Sequence, residues 1–156
     1  MAGTTTLGRL SWLVGQVVAD KPETERIKTL EIETPGWRGH LPGQHVDVRL
    51  TAEDGYQAVR SYSLAAPADD GRVALTVERL PDGEVSPYLV DELRVGDQVE
   101  LRGPVGGYLV WRGGDERPLL LIGGGSGVVP LITMIRGRAA GGCSPARLLY
   151  SASSEG

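Results

Sequence analysis

Residues 118–130 read Pro118-Leu119-Leu120-Leu121-Ile122-Gly123-Gly124-Gly125-Ser126-Gly127-Val128-Val129-Pro130, an apolar run, five residues of glycine and serine, and a fresh apolar segment. The continuous run Pro118 to Ile122 predicts a strand buried on both faces. The glycine stretch follows it directly and a helix is predicted from about Val128 to Arg138, the context in which glycines let a backbone approach a pyrophosphate closely. A tight strand-to-helix turn without a ligand is the competing reading. No Lys follows the last glycine, so the loop is not of the Walker type. Ala146 to Tyr150 reads as a second buried strand, which completes one β-α-β unit built to lie in a parallel sheet.

Upstream the period is different. From Trp12 to about Gly103, short alternating or β-branched runs are separated by turn signals, as expected of an antiparallel sheet closed into a barrel or sandwich. The predicted strands are Trp12 to Ala19, Ile27 to Glu33, His45 to Leu50, Ala58 to Leu64, Val73 to Arg79 and Gln98 to Arg102. Thr29, Glu31 and Glu33 alternate with Leu30 and Ile32, and Val46 and Val48 with Asp47 and Arg49, so each strand buries one face. Asp20-Lys21-Pro22, Thr34-Pro35-Gly36, Asp54-Gly55, Asp69-Asp70-Gly71 and Pro81-Asp82-Gly83 have turn chemistry. One short helix is predicted, with Ser86 as N-cap, Pro87 at its first position and Tyr88 to Leu93 as its body. The polar stretch Trp111 to Arg117 separates the two regimes, giving domains of 1–113 and 114–156.

Composition narrows the function classes. Hydrophobic residues make up 40% and charged residues 23%, and 16 Lys+Arg against 20 Asp+Glu leave a net charge of −4. Intrinsic disorder and a polybasic nucleic-acid surface are both poor readings. Cys143 is the single cysteine, so the chain holds neither an internal disulfide nor the thiolates of an iron-sulfur cluster or a cysteine-rich zinc site, and no metal is expected. The first fifteen residues lack a signal-peptide pattern and no long apolar span follows; the chain is expected to be cytoplasmic, without membrane contact. With only His40 and His45, and no Gly-x-Ser-x-Gly elbow, a hydrolytic triad has thin support.

Three features could carry chemistry. Gly83-Glu84-Val85-Ser86 precedes the short helix, where unpaired N–H groups and the Ser86 hydroxyl could hold a phosphate, although a plain turn and cap reads as well. Gly124, Gly125, Ser126 and Gly127 form the second such start. Arg60-Ser61-Tyr62-Ser63 lies in a predicted strand, so the period of two sets a cation beside an aromatic ring, with Ser61 and Ser63 on the other face. A solvent-facing strand surface would look the same.

Arg60-Ser61-Tyr62-Ser63, Val77-Glu78-Arg79, Gly83-Glu84-Val85-Ser86, Gly103-Pro104-Val105-Gly106 and Leu121 to Pro130 occur in an order that resembles the ferredoxin-NADP reductase superfamily, over about residues 10 to 156. The nearest likeness is to flavin-containing reductases that feed iron-sulfur partners in oxygenase systems. The resemblance implies a six-stranded antiparallel Greek-key barrel that binds FAD, followed by the first β-α-β part of a parallel α/β domain that docks NADH or NADPH. It implies that Arg60 neutralises the FAD pyrophosphate, that Tyr62 packs on the flavin and bonds its ribityl chain, and that Ser63 lies near flavin N5, with Tyr62 and Ser63 as catalytic residues. Ser61, Val77 and Arg79 would belong to the same cofactor site. Gly83, Val85 and Ser86 would hold the FAD pyrophosphate, and Gly124, Gly125, Ser126 and Gly127 that of the nicotinamide nucleotide. Hydride would pass from NAD(P)H to FAD and single electrons onward to an iron-sulfur protein on a separate chain.

The chain stops where such reductases continue, and is expected to be C-terminally truncated. A fragment of a reductase and a natural short flavin-binding module without NAD(P)H turnover both fit. A lone β-α-β unit exposes an apolar strand edge, which favours a fragment or a homo-oligomer over a monomer. Tyr150-Ser151-Ala152-Ser153 resembles a segment of the family that often ends in a basic residue, and Ser153 lacks that charge to pair with a phosphate, so NADH and NADPH are not distinguished.

Overall fold

The computed structural model describes residues 10–69, 71–114, 116–141 and 145–153. Cys143 lies outside the described residues. Six strands, β1 (Leu13–Pro22), β2 (Ile27–Glu33), β3 (His45–Thr51), β4 (Gln57–Ser63), β5 (Arg72–Glu78) and β6 (Gln98–Val105), pair antiparallel in the order β4-β3-β6-β1-β2-β5. The two outer strands meet through a bridge between Leu64 and Leu75 and a hydrogen bond from the Ala65 N–H to the Ala74 carbonyl at 2.8 Å. The sheet thereby closes into the predicted barrel.

Alternation positions the core as expected. Leu30 and Ile32 of β2, Val46 and Val48 of β3 and Val73, Leu75 and Val77 of β5 are buried, while Glu31, Glu33, Asp47 and Arg49 reach outward. Lys28 shares the inward face, and its ammonium escapes to the Leu93 carbonyl at 3.4 Å and to Asp20 at 3.7 Å. A π-helical turn at Tyr88–Glu92 closes one end of the barrel, where Leu89 and Leu93 are fully buried. Each such leucine contributes roughly 1.5–3 kcal/mol by leaving water.

Three local expectations are corrected. Asp20-Lys21-Pro22 is not a turn but the end of β1, with Pro22 opposite Lys28; β6 pairs β1 only through Gln16, so Pro22 sits where its missing donor breaks no second ladder. Ser86 is no N-cap: Pro87 holds that position without a side-chain bond, and the Ser86 hydroxyl accepts from the Leu80 N–H at 3.0 Å. The third correction concerns burial in the second unit.

That unit consists of β7 (Leu119–Gly124), a 3₁₀ turn at Gly125–Gly127, α1 (Val128–Ala140) and β8 (Ala146–Ser151), with β7 and β8 parallel and in register from Leu119–Ala146 to Gly124–Ser151. Leu121 is buried, but Leu120, Ile122, Leu149 and Tyr150 are exposed. Neither strand is covered on both faces by the described residues. An apolar run signals the capacity to be covered on two faces, and here α1 covers one.

The unit docks on the barrel through α1. The Arg136 guanidinium donates to the Ala65 carbonyl at 3.3 Å, and Gly137 lies against Pro42 and Trp111. Trp111 in turn donates its backbone N–H to the Pro42 carbonyl at 3.0 Å. Gly43 has φ +98°, and a Cβ there would overlap the Leu109 carbonyl and crowd Met134 of α1. Only glycine permits that approach.

Candidate functional site

The end of β4 forms one wall of a cleft. Cross-strand pairing sets Val48 opposite Arg60, Asp47 opposite Ser61, Val46 opposite Tyr62 and His45 opposite Ser63. The Ser61 hydroxyl donates to Asp47 Oδ1 at 2.7 Å, and Asp47 Oδ2 accepts from Arg102 Nη2 at 2.7 Å and Nε at 3.2 Å. Burial alone would raise the Asp47 carboxyl, but the bonds from Arg102 and Ser61 outweigh it and hold the group below its ordinary range. A chain of bonds across three strands thus fixes the backbone from which Arg60, Tyr62 and Ser63 project.

Tyr62 packs against the barrel core, and burial pushes its phenol up to about 12, against the pull of the Arg60 charge. Near neutral pH it is an uncharged hydroxyl donor on an aromatic plate. The Arg60 guanidinium donates from Nη1 to the Val59 carbonyl at 2.8 Å and from Nη2 to the Glu84 carboxylate. Glu84 also accepts the Tyr56 hydroxyl at 2.7 Å, and this bond, with the Arg60 charge, lowers its carboxyl below the usual value.

Gly83 to Ser86 form the next wall. The Gly83 N–H donates to the Leu80 carbonyl at 3.0 Å and the buried Ser86 hydroxyl closes the same loop. A Cβ on Gly83 would stand 2.7 Å from Ser86 Oγ. Thr76 and Glu78 of β5 floor the cleft, and Ser126, Gly127 and Val129 bring the second unit to its rim. The cleft measures about 330 Å³.

A second cleft of about 580 Å³ adjoins it, lined by Arg26, Gly125, Val128, Tyr150 and Ser153 among others. Thr76, Glu78, Ser126 and Val129 belong to both. Nothing lies within 4 Å of where a Cβ would stand on Gly125 or Gly127, so the backbone of the 3₁₀ turn is open to an approaching ligand. An exposed guanidinium, an aromatic plate, neutral hydroxyls and bare backbone amides are the complement of a dinucleotide, and these residues fit FAD with a second nucleotide beside it.

Arg60, Ser61, Tyr62, Ser63, Gly83, Val85, Ser86, Ser126 and Gly127 therefore meet in one cleft. Gly125 lines only the adjoining one, and Gly124 ends β7 outside both. The Val77 side chain is buried in the barrel, and Arg79 Nε donates to Asp91 at 2.6 Å on the π-helical turn instead of reaching the cleft. The cleft also takes in Thr76, Glu78, Leu80, Glu84 and Val129, to which the sequence alone gives no site role. Parity could have found the first two, since they flank inward-facing Val77. Among the described residues no group of three His, Cys, Asp or Glu could hold a metal, and no helix is long and apolar enough to cross a membrane.

Comparison with known proteins places this geometry. A model of the oxidoreductase FAD-binding domain matches residues 15–109. Methane monooxygenase component C of Methylosinus trichosporium is 41% identical over 113 residues, covering 70% of this chain and 32% of the relative. The reductase component of the naphthalene 1,2-dioxygenase/salicylate 5-hydroxylase systems of a Ralstonia species is 35% identical over 143 residues, covering 90% and 42%. The chain thus spans less than half the length of either relative. Among solved structures, the flavohem-like FAD/NAD-binding domain of nitric oxide dioxygenase from Vibrio cholerae superposes with a TM-score of 0.82 at 26% identity, over 94% of this chain and 64% of that one. With the barrel, its closure and the cleft in place, the match over 15–109 is decisive: the chain belongs to the oxidoreductase FAD-binding domain family.

Proposed function

We propose that this chain is the flavin-binding part, with the first nicotinamide-nucleotide contacts, of an electron-transfer reductase that takes a hydride from NADH or NADPH onto FAD and passes single electrons to an iron-sulfur protein on a separate chain. The observation that carries it is the convergence of Arg60, Tyr62, Ser63, Ser86 and Ser126 on one cleft from three distant parts of the sequence. The matched relatives, named as components of oxygenase systems, support a separate acceptor. A division at residues 113 and 114 and a cytoplasmic setting belong to the same reading.

Bound FAD supplies uptake of an electron pair and release of single electrons, which no side chain performs. The protein's share is binding and orientation. Arg60 would neutralise phosphate oxygens through its planar fork, and the Val85 N–H and Ser86 hydroxyl would add donors beside it. Tyr62, held neutral, would pack on the ring system and donate to the ribityl chain. Ser63 would offer its hydroxyl at flavin N5, where a proton must be held or released. The open amides of Gly125, Ser126 and Gly127 would receive the phosphates of the nicotinamide nucleotide.

The test is an absorbance spectrum from about 300 to 550 nm of the purified chain with FAD supplied, before and after anaerobic addition of NADH and then NADPH. Flavin absorbance that bleaches with either nucleotide is the expected result. A bound flavin that neither reduces would mark a flavin-binding module without turnover, and no bound flavin would overturn the reading.

A further inference from the structure

Glu84 sits at an unusual place for an acid. Among the described residues it is the only one that lines both the Arg60–Ser86 cleft and a wider cavity of about 820 Å³ bordered by Tyr56, Ala58, Pro87 and Tyr88. Its carboxylate bridges two donors from β4 and the segment before it, the Arg60 guanidinium and the Tyr56 hydroxyl. The guanidinium that the cleft would turn to an anionic ligand is thus already engaged by an anion of the chain's own.

That engagement is a weak one. The side chains of Arg60 and Glu84 are 52% and 45% exposed, and ion pairs so open to water exchange at little cost. A phosphate competes on better terms because it presents several charged oxygens to the planar fork. A carboxylate left in place would face those oxygens as a like charge. The wider cavity gives Glu84 somewhere to go while Tyr56 stays within reach.

We infer that Glu84 is an internal competitor for Arg60: its carboxylate occupies the guanidinium until phosphate oxygens displace it toward the Tyr56 side. The inference rests on the flavin reading of the cleft. Its effect is to temper affinity: a phosphate-bearing flavin must displace the carboxylate and binds less tightly for it, while a ligand without phosphate leaves the ion pair in place. The opposite role for the same contact would be preorganisation, with Glu84 holding Arg60 ready for the ligand. The two differ in sign.

The test is a titration of the apoprotein with FAD and with riboflavin, which lacks phosphate, followed by quenching of flavin fluorescence in wild type and Glu84→Gln. Glutamine keeps the size and a Tyr56 partner while removing the charge. Competition predicts FAD binding tighter by about two- to five-fold in the variant, the range an exposed ion pair supports, with riboflavin unchanged. Weaker or equal FAD binding by a variant with wild-type melting overturns competition and favours preorganisation. Equal tightening of FAD and riboflavin also overturns it, because the effect would not run through phosphate. Failure of wild type and variant alike to bind either flavin would instead remove the flavin reading, and the competitor with it.

Discussion

The Thr133 hydroxyl donates to the Leu64 carbonyl at 2.9 Å, joining α1 to the residue that follows Ser63 at the end of β4. Both residues are fully buried, and the same hydroxyl is shared with the Val129 carbonyl at 3.1 Å. The bond therefore ties the two sides of the cleft together from beneath. Thr133→Val keeps the shape but strands the Leu64 carbonyl, at a cost of about 1–3 kcal/mol. Urea unfolding should show a lower midpoint with an unchanged slope. A midpoint equal to wild type would mean that water replaces the hydroxyl.

Gly43→Ala attacks the same interface by volume. The new Cβ must clear the Leu109 carbonyl at a backbone φ of +98°, so strain and overpacking act together, for about 2–5 kcal/mol. Thermal melting checks this, and hydrogen exchange should rise first at the Trp111 amide, which donates to Pro42 next door.

His40 gives the fold a pH dependence of known sign. The imidazole is buried, its Nδ1 accepting from Trp37 Nε1 at 3.3 Å and its Nε2–H directed at the Ala66 carbonyl at 2.8 Å. Burial lowers its pKa below 6.5, although the Ala66 carbonyl pulls the other way. The unfolded chain therefore binds the proton first. Stability is full above about pH 6.5 and falls as pH drops from there through the lower folded value. Melting temperature should decline between pH 7 and 5, and His40→Gln should flatten that slope while lowering the plateau.

Arg60→Ala should weaken FAD binding by roughly ten-fold or more, as expected for loss of a charge-assisted phosphate contact, with little change in melting because the side chain is exposed. Fluorescence titration measures the first and calorimetry the second. An unchanged affinity would show that the phosphates lie elsewhere.

Gly127→Ala separates folding from ligand approach in the second unit. The residue has φ −62° and ψ −11°, and nothing stands within 4 Å of a new Cβ, so the variant should melt at or slightly above the wild-type temperature. The methyl group would occupy the space above the exposed turn, and affinity for a nucleotide there should fall. Equilibrium dialysis with NADH and NADPH reads it.

The barrel was legible because alternation is local. Leu30 and Ile32, or Val46 and Val48, announce their face without knowledge of any partner strand. What escaped depends on contacts between distant residues. Ser86 looks like a cap until Leu80 claims its hydroxyl, and the pairing of Arg79 with Asp91, outside the Arg60–Ser86 cleft, is visible only once the chain is folded. Glu84 lies inside the Gly83–Ser86 motif, but its meaning comes from Arg60 and Tyr56, brought close by folding. The exposure of Leu120 and Ile122 escaped for a different reason: a run of apolar residues does not state how many faces will be covered.

Thr76, Glu78, Ser126 and Val129 form a partition between the two clefts, with one side chain or backbone segment facing both. Whatever fills one compartment presses on the boundary of the other, and linkage makes that influence equal in both directions. A smaller residue at Val129 would widen both compartments at once, because the side chain borders each. A change made at any of these four positions for the sake of one compartment therefore reaches the other as well.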